Sequence, residues 1–345
     1  MLLKVIISAY ILVGGSFFEV LASPKVDHKI KVMTFNVENL FDTKHDEGKE
    51  DWDYLPASIK QSKSHKKHCS KKKGRRKQSC LKLDWNHKVL EFKMAQLASV
   101  ILSVNDGKGP DLLIMPEIEN EAVLKTFQKK FLAKAAYTSS VLIEGPDRRG
   151  IDVAMLSRLP LLSKPRIHPV AFKKAKLKYE GSTRPILEAK FKLPNGETLT
   201  SFGVHFPSPG HPHGTRVEAF QILKNLMDEA SKNSELVLAA GDFNVKAGED
   251  SRVYRQMAAP DLLVSHLVGC DLCLGTNYFK PADSWSFLDA IVVHKKSPWV
   301  INSNSVKIIS NKLNTNTKGR PKRFNYHKKS GVSDHLPIMM TLERK

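Results

Sequence analysis

Beyond its first residues, this sequence of 345 residues has no apolar run of the roughly 20 residues that a membrane-spanning helix needs. It also has no Pro/Ser-rich linker and no internal repeat, so no boundary divides the chain into two domains. Neither a helix-turn-helix nor a zinc-finger pattern is present, which argues against base-specific reading of nucleic acid. These absences leave one large domain without a transmembrane segment.

The first residues have the pattern of a secretory signal. A short basic start precedes an apolar stretch, Val5 to Phe18, and small residues follow as far as Ala22. We expect cleavage after Ala22, because cleavage after Ser23 would leave Pro24 as the first mature residue. A retained membrane anchor is the alternative, for which the stretch is short. The pattern predicts a signal peptide over residues 1–22 and an exported protein, periplasmic or extracellular.

Cysteine is scarce: the chain has only Cys69, Cys80, Cys270 and Cys273. An even number of cysteines in an exported protein indicates disulfide bonds. The simplest pairing joins near neighbours, Cys69 with Cys80 and Cys270 with Cys273. Four thiolates around a structural zinc ion are the alternative, which export makes less favourable.

Acidic residues are missing from two long segments. The chain has 55 Lys and Arg against 35 Asp and Glu, which gives a formal net charge of +20. Residues 60–82 contain eleven Lys or Arg and no acid, and residues 290–332 contain ten and no acid. Such an imbalance favours polyanionic partners: nucleic acid, anionic lipid headgroups or cell-surface polymers. A solvated basic surface that serves only solubility is the alternative.

Apolar periodicity predicts one mixed α/β domain over residues 23–345. Strands are predicted at 30–36, 111–115, 138–143, 152–157, 185–193, 198–205, 236–240, 288–293 and 338–342, and helices at 86–103, 122–134 and 217–232. The strand–helix–strand order at the start is typical of α/β folds. A polar, Lys-rich segment at about 44–84 has almost no apolar periodicity, so we predict a loop insertion there.

Acids, amides and histidines recur at or near the ends of the predicted strands. They are Asn36, Glu117, His205, Asp242, Asn244, Asp289, Asp334 and His335. Each one alone is more often a turn residue, a helix cap or a structural histidine, but six such strand ends in one chain are harder to explain in that way. Strand ends meet at one edge of a sheet, where ligand sites commonly form. Carboxylate and amide oxygens suit a hard cation, and an Asp–His pair suits activation of water, as metal-assisted hydrolysis of a phosphodiester requires.

Eight motifs carry a resemblance to a known superfamily. They are TFNVENLF (34–41), PEIEN (116–120), RRGIDVAMLSR (148–158), STRPILEAKF (182–191), VHFPS (204–208), GDFN (241–244), SWSFLDAIVV (284–293) and SDHLPI (333–338). In this order they resemble the endonuclease/exonuclease/phosphatase superfamily, which includes deoxyribonuclease I, repair nucleases, bacterial sphingomyelinases and inositol polyphosphate 5-phosphatases. GDFN and SDHLP are specific for the superfamily but do not distinguish among its substrates.

The resemblance implies a fold and a metal site. The fold would be the deoxyribonuclease I-like four-layer α/β/β/α sandwich, in which two mixed β-sheets pack face to face between helices. Glu117 would be the principal ligand of Mg²⁺, helped by Asn36 and Asp334, and Mn²⁺ or Ca²⁺ are alternative ions. We expect a monomer without a stable protein partner.

The resemblance also implies roles for the other residues. His335 would be the general base for the attacking water, oriented by Asp289. Asp242 and Asn244 would contact the scissile phosphate or a second metal position, and His205 would donate a hydrogen bond to the phosphate or act as a general acid. Arg184 corresponds to a position that binds phosphate. Asp152 has two readings, either orienting His205 or capping its own strand.

The substrate is the least determined property. The basic segments favour nucleic acid, and we predict an exported, sequence-nonspecific endonuclease on DNA with RNA as a further substrate. A sphingomyelinase or an inositol-phosphate-type phosphatase is the alternative; against it, the insertion is Lys-rich, whereas sphingomyelinases of this superfamily usually present an apolar, aromatic hairpin to the membrane. A non-catalytic polyanion-binding protein is less favoured, because the base and the metal carboxylates are all present.

Overall fold

The computed structural model of the chain describes residues 29–177 and 183–345, so the predicted signal peptide lies outside the described residues. The strands in the described residues are β1 (Lys29–Thr34), β2 (Leu112–Ile118), β3 (Ser139–Leu142), β4 (Asp152–Ser157), β5 (Arg166–His168), β6 (Ile186–Lys192), β7 (Thr198–His205), β8 (Leu236–Asp242), β9 (Leu262–Val264), β10 (Asn277–Phe279), β11 (Ser284–Ser286), β12 (Asp289–His294), β13 (Trp299–Ile308) and β14 (Ile338–Arg344).

Helices lie between these strands. They are α1 (Lys63–Ser70), α2 (Gly74–Lys82), α3 (His87–Ile101), α4 (Glu121–Phe131), α5 (His213–Ala230), α6 (Ala247–Asp250) and α7 (Ser265–Val268), with 3₁₀ turns at Ile59–Gln61, Ala133–Ala135 and Lys280–Ala282 and a π-helical segment at Ser251–Ala258. The longest ones, α3 and α5, pack on different sheets.

Two six-stranded sheets form the body of the protein. The first has the strand order β13-β14-β1-β2-β4-β3 and the second β5-β6-β7-β8-β12-β9, while β10 and β11 make a separate hairpin. In each sheet one central pair is parallel, β1 with β2 and β7 with β8, and the other neighbours are antiparallel. Both sheets are therefore mixed.

Three hydrophobic layers hold four layers of secondary structure together. In β1, Ile30 and Val32 face the second sheet, while Met33 and the following Phe35 face the helices, because successive side chains of a strand point to opposite faces. On the far side, Phe220 of α5 packs on the outer face of the second sheet. Strands buried on both faces have continuous apolar runs, as residues 112–115 and 236–240 do. The predicted α/β/β/α sandwich is confirmed.

Helix α3 shows why the periodic segments fold as predicted. The Asn86 side chain accepts a hydrogen bond from Val89 N at 3.1 Å and so caps the first turn. Leu90, Met94 and Leu97, three or four residues apart, are buried against the first sheet. The N-cap and the apolar stripe both favour a helix that begins after Asn86, and the structure has the predicted helix there.

Two short helices occupy the Lys-rich segment for which we predicted a loop, so that prediction was wrong. Helices α1 and α2 pack against each other, and a disulfide bond between Cys69 and Cys80 links them. The Ser62 hydroxyl accepts a hydrogen bond from His65 N at 3.2 Å at the start of α1. Isolated helices of this length are marginal in water. Their stability comes from the crosslink and from side chains anchored on the domain, which apolar periodicity does not reveal.

Strand β13 was missed as well. It lies at the edge of the first sheet, and its register with β14 shifts between Asn302 and Lys307, so an irregularity interrupts its alternation. Its buried Trp299 and Ile301 belong to the layer between the sheets. The short strands β5, β9, β10 and β11 also went unpredicted, since three residues carry little periodicity.

The cysteine pairing is the simple one. Cys69 is bonded to Cys80 and Cys270 to Cys273, and therefore their thiolates are not available to bind zinc. Within the described ranges, no helix combines the length and apolar character needed to cross a membrane.

Candidate active site

The predicted residues gather at one edge of the two sheets. His205 and Asp242 end the parallel strands β7 and β8 and lie opposite each other in register. Asp289, the first residue of the antiparallel strand β12, is the register partner of Asp242. From the first sheet, the Asn36 amide donates a hydrogen bond to Asp242 Oδ2 at 3.0 Å. The corresponding edges of the two sheets therefore meet at one site.

Asn36 lies beside Glu117 because the chain after β1 continues to follow β2. Val37 N donates to Pro116 O at 3.2 Å, and Leu40 N donates to Glu117 O at 2.9 Å. This extension of the ladder brings Asn36 Nδ2 within 3.4 Å of Glu117 Oε1. Two side chains that are far apart in sequence thus share one corner of the site.

Glu117 reaches the site from a distorted position in β2. The register between β2 and β4 shifts between Pro116 and Ile118, which is where Glu117 lies. Its φ of 72° is in the left-handed region, which is sparsely populated for residues other than glycine. A bulge re-aims a side chain, and strained backbone of this kind clusters at functional sites.

The GDFN motif folds as a tight turn at the end of β8. Asn244 N donates to Asp242 Oδ1 at 2.8 Å, and Asn244 Nδ2 donates to Phe206 O at 2.9 Å. Gly241 is required before this turn, because a Cβ atom there would lie 2.0 Å from Val204 O. The turn fixes both polar side chains toward the strand end that carries His205.

His335 and Asp289 form the predicted pair. His335 Nδ1 lies 2.6 Å from Asp289 Oδ2, and Asp289 is fully buried. The Ser333 hydroxyl accepts a hydrogen bond from His335 N at 3.0 Å and donates one to Asn36 O at 2.7 Å. This leaves His335 Nε2 on the site side of the ring, 4.0 Å from Asp242 Oδ2.

The acids around His335 determine its protonation. Burial alone would lower the pKa of His335, but the charge and hydrogen bond of Asp289, with the charges of Asp242 and Asp334, raise it well above the usual range. Burial raises the pKa of Asp242 to about 7, aided by the charge of Asp289 and opposed by His335. Asp242 and His335 are buried at this separation, so the protonation of each affects the pKa of the other.

His205 faces the same centre from β7. Its Nε2 atom lies 3.6 Å from Asp242 Oδ2 and 3.8 Å from Glu117 Oε1. Burial lowers the pKa of His205 well below the usual range, and the positive charges of Arg184 and Arg149 lower it further. A neutral imidazole can donate one hydrogen bond from Nε2, which suits the oxygen of a phosphate.

Arg184 supports the strand end behind His205. Its guanidinium donates to His205 O at 3.2 Å, to Phe206 O at 3.1 Å and to Asp147 Oδ2 at 3.0 Å. Arg184 is 5% exposed. These contacts give it a structural role in the site, and direct binding of phosphate by Arg184 stays a prediction.

Asp152 is the first residue of β4, and its side chain caps the preceding turn. Its Oδ1 atom accepts a hydrogen bond from Gly145 N at 2.9 Å. Among the described residues, no hydrogen-bond partner lies within reach of His205 Nδ1, so Asp152 does not hold that ring by a hydrogen bond. Of the two readings, the geometry favours the capping one.

Asp334 lies at the exposed side of the site. Its carboxylate is 31% exposed and lies 3.3 Å from Arg323 Nη2. Arg323 Nε also donates to Glu38 Oε1 at 2.6 Å. Sequence reasoning missed Glu38 and Arg323, although Glu38 stands inside the TFNVENLF motif and could have been found there.

A buried lysine that the sequence did not single out ties these loops together. Lys93 of α3 is 1% exposed, and its Nζ donates to Glu38 O at 2.7 Å and to Val332 O at 3.5 Å. Asp147, which precedes RRGIDVAMLSR, was missed in the same way and pairs with the buried Arg184. The position of Asp147 next to a recognised motif is a signal that would have found it, whereas Lys93 in the middle of α3 has no such signal.

The first-sheet residues fit a hard divalent cation. The Glu117 carboxylate is partly exposed and lies 3.4 Å from Asn36 Nδ2 and 3.8 Å from His205 Nε2, so it keeps oxygen lone pairs directed at the site. Carboxylate and amide oxygens are the donors that Mg²⁺ prefers. A second group, Asp242, Asp289 and His335, also has ligand atoms within 4.8 Å of one another. In that group the Asp289–His335 hydrogen bond already occupies two of the atoms, so Glu117 is the better anchor.

Comparisons with known proteins agree with this fold. A model of the Endonuclease/Exonuclease/phosphatase family matches residues 31–344. No curated protein matches the chain.

Among solved structures, an endonuclease/exonuclease/phosphatase family protein from Bacteroides thetaiotaomicron is similar with 15% identity and a TM-score of 0.56, covering 92% of this chain and 98% of that one. Humanized TDP2 from D. rerio is similar with 15% identity and a TM-score of 0.55, covering 92% of this chain and 100% of that one. D. rerio TDP2 complexed with a single-strand DNA product has 16% identity, a TM-score of 0.55 and the same coverage. At these identities the structural likeness supports the fold alone.

Proposed function

The chain belongs to the Endonuclease/Exonuclease/phosphatase family of phosphodiesterase-type hydrolases, and on that premise we propose that it is an exported, metal-dependent endonuclease that cleaves DNA without sequence preference and also accepts RNA. One observation carries the chemistry: the buried Asp289–His335 pair and the partly exposed Glu117, with the buried Asn36 beside it, lie on either side of Asp242. A water-activating base and a cation-binding acid are thus held in one site.

His335 and Asp289 carry out the proton transfer. A water molecule that attacks the phosphorus loses its proton to His335 Nε2, while His335 Nδ1 keeps its hydrogen bond to Asp289. The bond from phosphorus to the leaving oxygen breaks as the new P–O bond forms, and the leaving oxygen takes up a proton from water and departs as a hydroxyl group. Asp289 holds the tautomer and orientation of the ring throughout.

The phosphate-binding half uses His205 and Asn244. His205 Nε2 is a hydrogen-bond donor that faces the centre. Glu117, with Asn36 and Asp334, would hold Mg²⁺, for which Mn²⁺ or Ca²⁺ are the alternatives. When bound, the cation offsets the negative charge that develops on the phosphate and favours the ionised acids and the neutral base.

Nucleic acid is the proposed substrate because of charge. The net charge of +20 and the two acid-free segments favour a polyanion, and phosphate contacts supply most non-specific affinity for nucleic acid. A protein of the same fold, D. rerio TDP2, has been crystallised with a single-strand DNA product. The signal-like pattern of residues 1–22 supports the proposed export. We propose a monomer.

A lipid phosphodiester is the second candidate, on one observation. Leu272 and Leu274 are 97% and 68% exposed, and Phe279 at the end of β10 is 57% exposed. The β10–β11 hairpin adjoins the catalytic segment, since Asn277 Nδ2 donates to Asp334 O at 2.9 Å. Exposed apolar side chains near a phosphodiesterase site suit a membrane surface.

The test compares substrates directly. Mature protein is incubated with supercoiled plasmid, single-stranded RNA and sphingomyelin vesicles, with Mg²⁺ or with a chelator, beside a His335→Ala variant. Metal-dependent nicking of the plasmid that His335→Ala abolishes is the expected result. Intact nucleic acid together with release of phosphocholine or inorganic phosphate would contradict the nuclease proposal and favour the second candidate.

A further inference from the structure

The Lys-rich insertion is a rigidly anchored hairpin. The side chains of its inner face are buried: His65, Cys69 and Cys80 are 0% exposed, and His65 Nε2 lies 2.8 Å from Cys80 O. Two lysine side chains of this segment contact Asp53, which lies outside it. Lys60 Nζ donates to Asp53 O at 2.8 Å, and Lys72 Nζ lies 2.6 Å from Asp53 Oδ1. We name residues 60–82 the basic hairpin.

The outer face of the basic hairpin carries unpaired positive charge. Lys63, Lys67 and Lys71 lie on the side of α1 opposite His65 and Cys69, and all three lysines are exposed. Across the described part of the chain, no acidic side chain lies within ion-pair distance of these three lysines. Like charges kept close together without counterions favour a polyanionic ligand.

A second basic segment, distant in sequence, is attached to the same place. Residues 318–329 contain six Lys or Arg and no acid, and we name them the basic loop. Phe324 of this loop packs on Trp85 with ring centroids 6.0 Å apart, and Trp85 packs on Tyr54 at 5.3 Å. Tyr54 follows Asp53, the anchor of the basic hairpin. Three aromatic rings therefore join the two basic segments into one surface.

This surface adjoins the catalytic centre on the first-sheet side. Arg323 of the basic loop lies 3.3 Å from the Asp334 carboxylate. On the hairpin side, Tyr54 stacks on Phe41 with ring centroids 4.1 Å apart, and the preceding residue, Leu40, donates its N–H to Glu117 O at 2.9 Å. The positive side chains thus begin beside the site and continue outward along two segments.

We propose that the basic hairpin and the basic loop form one binding surface for the phosphate backbone of a nucleic-acid substrate, outside the phosphate that is cleaved. The proposal rests on the nuclease function proposed above. An eight-residue helix is about 12 Å long, which is roughly the span of four successive phosphates on one strand. An extended polyanion matches such a surface, whereas one lipid headgroup would engage only part of it.

The first variant neutralises the hairpin. Lys63, Lys67 and Lys71 are changed to Gln together, which preserves helix propensity and leaves the disulfide and the inner face intact. Binding of a long duplex is measured by fluorescence anisotropy at several salt concentrations, in protein that also carries His335→Ala so that the duplex stays whole. We expect weaker binding and a salt dependence reduced by about 0.9 in the log–log slope for each lysine that contacts a phosphate.

The matched control removes the same charge at the opposite end of the second sheet. Three exposed lysines lie at or just beyond the ends of β6, β8 and β12 that are remote from the site: Lys192, Lys232 and Lys296. Their change to Gln should leave the salt slope unchanged. A companion variant of the basic loop, Lys318, Lys328 and Lys329 to Gln, should weaken duplex binding as the hairpin variant does.

Hydrolysis separates this inference from the proposed function. With His335 intact, the hairpin variant should hydrolyse long duplex with a raised KM and a small chromogenic diester, bis(4-nitrophenyl) phosphate, at the wild-type rate. Equal salt slopes for the hairpin and control variants would overturn the inference, even if the protein proves to be a nuclease.

Loss of binding to phosphatidylserine vesicles without loss of duplex binding would overturn it in favour of a membrane. Absence of nuclease activity would contradict the proposed function, while duplex binding would still decide the inference.

Discussion

The two sheets present their acids to the site under different conditions. In the second sheet, Asp242 and Asp289 are 2% and 0% exposed and are held by hydrogen bonds from neighbouring residues. The carboxylates of the first-sheet half, Glu117 and Asp334, keep 14% and 31% of their side chains exposed, and their contacts are long. The buried half is organised in advance for proton transfer. The exposed half has the free lone pairs and the solvent access that a cation requires.

The difference in burial shows how one site can both orient a histidine and bind a cation. A buried acid fixes a histidine because water does not compete for the hydrogen bond. A partly exposed acid accepts a cation because the ion can keep some of its water. Substitutions in the buried half should therefore lower the catalytic rate, whereas substitutions in the exposed half should weaken cation binding.

The largest effect is expected from the buried half. His335→Ala removes the base, and loss of general-base catalysis should lower kcat by a factor of about 10²–10⁴. Added metal should not restore the activity, because the metal-binding half is unchanged. Plasmid nicking at increasing Mg²⁺ concentration measures both properties, and recovery at high Mg²⁺ would show that the two halves are not separate.

A change in the exposed half should act through the cation. Glu117→Gln keeps the shape of the side chain but removes its charge, so the Mg²⁺ concentration for half-maximal activity should rise by about 10–100-fold. Partial recovery at high Mg²⁺ is expected. An exposed acid remote from the site, Glu229→Gln, serves as the control and should leave the Mg²⁺ dependence unchanged.

Arg184 tests the support of the buried half. Arg184→Met removes the buried partner of Asp147 and leaves this buried acid only its contacts with Arg149, which should lower the free energy of unfolding by about 3–5 kcal/mol. Arg255→Met breaks an exposed pair with Asp250 and should cost about 0–1 kcal/mol. Urea unfolding measures both. A stable Arg184→Met protein with a raised KM would instead favour direct phosphate binding by Arg184.

The smallest expected effect is on the pH dependence of stability, at Glu188, which lies away from the site. Burial would raise the pKa of Glu188, but hydrogen bonds and charges from His168 and Arg166 lower it to about 2. This folded-state pKa is below the unfolded one, so the carboxylate stabilises the fold above about pH 4.5 and its contribution disappears as pH falls towards 2. Glu188→Gln should therefore be less stable than wild type at neutral pH and approach it near pH 2.

Thermal unfolding across this pH range checks the Glu188 prediction. Glu121→Gln, which removes one partner of an exposed pair with Lys125, is the control and should have little effect at any pH. A stability difference between Glu188→Gln and wild type that stays constant from neutral to acid pH would contradict the prediction.

Much of the fold and the site could be predicted because the informative residues lie at strand ends. His205 and Asp242 end strands with clear periodicity, and topology alone brings such ends together. The motif resemblance supplied the pairing of His335 with Asp289, which the structure brings to 2.6 Å.

The features that the sequence did not predict depend on tertiary contacts, which leave no local pattern in the sequence. Arg323 meets Glu38 across 285 positions of sequence, and nothing near either residue indicates the other. Helices α1 and α2 rely on a disulfide and on anchoring at Asp53 rather than on an apolar stripe. The bulge at Glu117 is a distortion of a strand that periodicity treats as regular.

Direct measurement of cation binding tests the division of the site most directly. Titration calorimetry with Mn²⁺ would compare wild type, Glu117→Gln and Asp289→Asn, without any substrate. We predict that Glu117→Gln weakens binding by about tenfold or more, while Asp289→Asn leaves it unchanged. The opposite result, with Mn²⁺ affinity lost in Asp289→Asn and retained in Glu117→Gln, would place the cation among Asp242, Asp289 and His335 and contradict this account of the site.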